Sequence, residues 1–71
     1  MQTVAEKTID TELLTQAAAL RRRATNLRME ADQLDEFVGT SFRRRASELE
    51  LEAWVLEIQS GLPYDRISSA A

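Results

Sequence analysis

Leucines recur every seven residues through the first half of this 71-residue chain, at Leu13, Leu20, Leu27 and Leu34. A smaller residue follows each by four: Ala17, Ala24, Ala31 and then Val38. The second half repeats the device with Phe42, Leu49 and Leu56, separated by Ala46, Ala53 and Ser60. Strict alternation of steps of three and four is the seam of a coiled coil, because it returns apolar side chains to one face of a helix. A strand would need a period of two. The chain is 44% apolar and 30% charged with two glycines and one proline, a composition that suits a helical bundle.

The two stripes do not join smoothly. Val38 to Phe42 is a step of four where the heptad asks for three, and the junction reads Val38-Gly39-Thr40-Ser41-Phe42. Glycine suits the left-handed residue that ends a helix, and Thr or Ser suits the cap that starts one. The pattern therefore predicts a helix over 10–38, a turn at 39–41 and a helix over 41–60, with the whole hairpin spanning 10–62. Asp10 and Glu12 mark the first start, and a possible capping box of Thr3 with Glu6 leaves an earlier one open. Gly61, Leu62 and Pro63 stop the second helix. Residues 1–9 read as a flexible leader and 63–71 as an irregular tail. Folding about Gly39 sets Leu34 against Ala46, Ala31 against Leu49, Leu27 against Ala53 and Ala24 against Leu56, large on small throughout. Val38 meets Phe42 next to the turn. The expected fold is all-α: an antiparallel two-helix hairpin with an Ala/Leu seam, dimerising into a four-helix bundle.

A near-duplication gives that reading an electrostatic reason. "LRRRATNLRMEADQLD" begins at Leu20 and "FRRRASELELEAWVLE" at Phe42. Each copy runs basic, then acidic. A parallel pair would set arginine triplet on arginine triplet, whereas an antiparallel pair matches Asp35 with Arg43, Arg28 with Glu50 and Arg21 with Glu57. Exposed pairs of this kind contribute under ~1 kcal/mol each, so they set register and orientation more than stability. The other flank is less well matched, with Glu30 across from Glu52 and Arg23 from Gln59.

Several function classes find no footing. The chain has no Cys and no His, so it lacks thiolate chemistry, the usual general base and the usual zinc ligand. No glycine-rich phosphate loop is present, and no serine has a histidine partner. A non-enzyme without cofactors is expected. Glu48, Glu50 and Glu52, with Glu30 opposite, read as a solvated acidic face rather than a metal site. No signal peptide or membrane-spanning run appears, so the expectation is a cytoplasmic protein that does not engage membranes. Two arginine clusters, Arg21, Arg22, Arg23 and Arg43, Arg44, Arg45, could grip phosphates in a nucleic-acid-binding dimer. Against this, consecutive residues spread around a helix, no aromatics are interleaved with them, and the net charge is −3.

One feature exceeds what a hairpin needs. Leu51, Trp54, Val55, Ile58 and Leu62 lie on the second helix away from its seam positions. A contiguous apolar patch carrying a tryptophan marks a contact surface. The expected occupant is a partner helix, most simply a second copy in a two-fold dimer. Val4, Ile9, Tyr64 and Ile67 folding back is the alternative cover. The function expected is that of a non-catalytic protein–protein interaction module, a small adaptor or regulator. Two alternatives are the nucleic-acid-binding dimer and a structural coiled-coil scaffold subunit.

Overall fold

The computed structural model describes residues 9–63 and residue 67. Two helices, α1 (Thr11–Ala31) and α2 (Glu36–Gln59), pack against each other as an antiparallel hairpin. Asp10 caps α1, its carboxylate accepting the backbone N–H of Glu12 at 3.1 Å and of Leu13 at 3.3 Å. Glu12 in the first turn and Arg28 in the last complement the helix dipole. At the far end Gly61 takes φ 90°, and its N–H reaches the Ile58 carbonyl at 3.2 Å. Gly61 is thus the left-handed residue that closes α2.

The turn is not where the glycine suggests. It lies at residues 32–35, not 39–41, so α1 ends at Ala31 instead of 38, and α2 begins at Glu36 instead of 41. Asp35 is the N-cap, its carboxylate accepting from the Val38 N–H at 3.0 Å, and Glu36 adds a negative charge to the first turn. Thr40 and Ser41 are therefore helical, and Thr40 Oγ1 donates back to the Glu36 carbonyl at 2.8 Å. Leu34 sits in the turn and Val38 on α2, and both are exposed rather than in the seam. The expected leader and tail, residues 1–9 and 63–71, fall largely outside the described residues, as do Thr3 and Glu6.

Gly39 has a different task. It is buried in α2, and a Cβ there would come within 2.9 Å of the Ala31 carbonyl oxygen. The glycine lets the two backbones nearly touch beside the turn. At the open end, the Asp10 N–H donates to the Ser60 carbonyl at 2.9 Å, tying the start of α1 to the end of α2. These two contacts fix the register: Ala31 is level with Gly39, Ala24 with Ala46, Ala17 with Ala53 and Asp10 with Ser60. Small residues face small residues, at heptad spacing. The leucine-on-alanine layers expected from a turn at Gly39 do not form. Ala31 sits nearly three helical turns away from a position opposite Leu49.

The consequence is a thin core. The buried apolar residues are Ala17, Ala24, Ala31, Ala46, Leu49 and Ala53. Leu20 and Leu27 pack against Ala24, Ala46 and Leu49 from the side, only partly buried. Alanines bring the axes toward the ~8 Å end of the packing range. The gain per buried methyl, though, is only about 0.8 kcal/mol. Close approach has been obtained at the expense of covered apolar area.

Candidate interaction surface

The hairpin has two unlike flanks. On one, Arg21 donates from Nε and Nη2 to the two carboxylate oxygens of Glu57, both at 2.9 Å. Arg28 grips Glu50 in the same forked manner at 3.1 and 2.8 Å, and its Nη2 also reaches Ser47 Oγ at 3.1 Å. Both pairings are those read from the duplicated phrase. The third differs: Arg43 meets Asp32 at 3.3 Å, because Asp35 is occupied as the α2 cap. The forked bonds favour the charged forms. The bond to Glu57 raises the Arg21 pKa and the bond to Glu50 raises that of Arg28, in each case against the opposing effect of burial. The bond from Arg28 lowers the Glu50 pKa against the same opposition.

The pairs also show how side-chain direction shifts register. Arg21 is level with Leu49, not with Glu57, which lies about two turns further along. In a helix every Cα–Cβ bond tilts toward the N-terminus, and long side chains continue that way. In an antiparallel pair the two tilts run toward each other here, so Arg21 and Glu57 each lean back and meet between their own levels.

The other flank is apolar. Leu13, Leu20, Leu27, Phe42 and Leu56 are half-buried along it, and only Leu49 is fully covered. It continues onto the outward side of α2. There Leu20, Leu51, Glu52, Val55 and Leu56 line an open groove of about 400 Å³ between the two helices. Of the stripe singled out in the sequence, Leu51 (52%), Val55 (44%) and Ile58 (36%) are exposed, while Trp54 and Leu62 are half-buried. Among the alternative covering residues, Val4 and Tyr64 lie outside the described residues, Ile9 is exposed and Ile67 half-buried.

The sequence reading missed an apolar tip. Phe37 is 84% exposed in the first turn of α2, with Leu34 and Val38 also exposed beside it. The available signal was Asp35-Glu36, an N-cap followed by a first-turn acid, which would have placed Phe37 outside the seam.

Within the hairpin the two arginine clusters do not share one face. Arg21, Arg43 and Arg45 are engaged with Glu57, Asp32 and Glu48. Arg22 and Arg44 hold equivalent outward heptad positions on different helices, so they project away from each other. Nor do the glutamates converge, since Glu50 is held by Arg28 and Glu48 by Arg45. No group of three or more potential metal ligands occurs among the described residues. No described helix is long and apolar enough to cross a membrane.

No protein-family model, curated protein or solved structure matches the chain.

Proposed function

We propose that this chain is a non-catalytic protein–protein interaction module, a small helical adaptor or regulator, which docks the outward face of α2 on a partner helix. The observation that carries the reading is the continued exposure of Leu51, Val55 and Ile58 on one face of α2 after the hairpin has closed. The all-small seam cannot absorb them, because its facing positions admit nothing larger than alanine without parting the helices. Half-buried Trp54 lies at the edge of this face and Leu62 extends it past the cap. Pairing two hairpins through it builds a four-helix bundle, the simplest completed form.

The nucleic-acid reading has less support, because half of the six clustered arginines already serve ion pairs of the hairpin itself. A scaffold subunit would associate without limit instead of forming a defined complex. The test compares wild type, Ile58→Glu and Trp54→Ala by sedimentation equilibrium and by affinity capture, with circular dichroism on the same samples. Loss of a defined complex in both variants, with helicity kept, supports the reading. Unchanged association in Ile58→Glu, or association that weakens steeply with salt on added oligonucleotide, overturns it.

A further inference from the structure

The outward face of α2 has a pattern that the docking role proposed above does not by itself require. Phe37, Arg44, Leu51 and Ile58 recur at heptad spacing on one column; Glu48 and Val55 form the neighbouring column, and Val38, Arg45 and Glu52 the one beyond it on the same side, toward the groove. All of them are exposed. Read from the tip, the face runs apolar (Phe37, Val38), basic (Arg44, Arg45), acidic (Glu48, Glu52) and apolar again (Leu51, Val55, Ile58). Arg45 reaches Glu48 along the helix at 3.0 Å, an exposed pair free to exchange partners. Arg44 and Glu52 have no ion pair among the described residues.

Such a face is complementary to itself in one orientation only. A parallel copy sets Arg44 and Arg45 against their own counterparts. An antiparallel copy, related by a two-fold axis level with Ala46, sets Arg44 and Arg45 of each chain beside Glu48 of the other, with Glu52 about one turn further along. The same operation carries Phe37 of each chain to the level of Val55 of the other, where the groove of Leu20, Leu51, Val55 and Leu56 opens. Apolar end meets apolar end, and basic meets acidic, twice by symmetry. The basic-then-acidic order that pairs α1 with α2 inside the hairpin is thus used again between hairpins. We infer that the partner of this face is a second copy of the chain, bound antiparallel through α2, with Phe37 of each copy seated in the Leu20–Leu51–Val55–Leu56 groove of the other.

This inference rests on the docking role of α2 but fails separately from it. Cysteine cross-linking is clean because the chain contains no Cys. Positions 37 and 55 are about 27 Å apart along one helix, too far to bridge within a chain. F37C/V55C should therefore oxidise to a covalent dimer, and F37C or V55C alone should not. Charge variants give a second arm. R44E/R45E presents an all-acidic band and E48R/E52R an all-basic one. Each alone should self-associate about tenfold or more weakly than wild type, and an equimolar mixture should recover the affinity as a heterodimer. Helicity is followed throughout by circular dichroism. A dimer cross-linked by F37C alone, or no recovery in the charge mixture, overturns the antiparallel pairing. A wild type that stays monomeric at ~1 mM overturns the second copy as partner, and in that case Ile58→Glu still decides by capture whether the face docks another protein.

Discussion

Gly39 is buried where α2 passes the end of α1. Its lack of a side chain matters because the Ala31 carbonyl oxygen lies where a Cβ would be, at 2.9 Å, and not because the chain turns there. The residue that does need a left-handed backbone is Gly61, at φ 90°. The two glycines make opposite demands, and substitution separates them. In an ordinary exposed helix Gly→Ala stabilises by about 1 kcal/mol. At Gly39 that gain is opposed by contact with a backbone atom, which cannot swing aside. Gly39→Ala should therefore lower the melting temperature, by a net cost of roughly 1–2 kcal/mol as the helices part beside the turn. Thermal unfolding followed at 222 nm decides it, and a raised melting temperature would mean that the close approach is not there. Gly61→Ala should cost about 1 kcal/mol through backbone strain alone, fraying the end of α2 while leaving the seam unaffected.

At the scale of the two helices, much of the fold was legible in the chain. Helical class, hairpin topology and the Arg21–Glu57 and Arg28–Glu50 pairs all follow from heptads and charge order. The turn did not follow, for two physical reasons. Gly39 signals a helix end, while Asp35-Glu36, the stronger start signal, lies inside an unbroken heptad pattern. The ion pairs agree with either turn, because a leaning arginine and glutamate pair while their backbones are about two turns out of level. The apolar stripe on α2 was legible, whereas Phe37 at the tip was hidden by the same misplaced turn. Register is testable within the seam. Ala24→Leu or Ala46→Leu sets a leucine against a facing alanine already in contact, and should cost ~1–3 kcal/mol. The solvent-facing Asn26→Ala should be close to neutral or mildly stabilising. The charged flank adds a pH signature. Glu50 has its pKa lowered from 4.5 by the bond from Arg28, so its stabilisation is complete above the unfolded value and is lost as pH falls through the lowered one. The pair is partly solvated, so the loss should be under about 1 kcal/mol. Denaturant titrations between pH 6 and pH 3 should show it in wild type, and Glu50→Gln should flatten that part of the slope.

For the molecule as a whole, the deciding fact is how little apolar surface the hairpin covers. Among the described residues, five of the six buried apolar ones are alanines, and Leu49 is the single large one. At about 0.8 kcal/mol per methyl, five alanine methyls contribute only a few kcal/mol, and Leu20, Leu27, Phe42 and Leu56 are covered only in part. Leu51, Val55, Ile58 and Phe37, by contrast, are large, lie outside the seam and are exposed. Covering each of them fully is worth ~1.5–3 kcal/mol, a gain that the proposed association supplies. The stability of the native state should therefore be linked to chain concentration, because whatever binds the folded form and not the unfolded one raises its stability by mass action. Wild type should melt at progressively higher temperature from ~5 μM to ~500 μM. Ile58→Glu places a charge in the middle of the contact, and should melt lower and at a temperature independent of concentration. Calorimetry over that range reads both. A wild-type melting temperature that does not move would show that the alanine seam and its two forked ion pairs suffice to hold a lone hairpin, and would remove the energetic reason for pairing through α2.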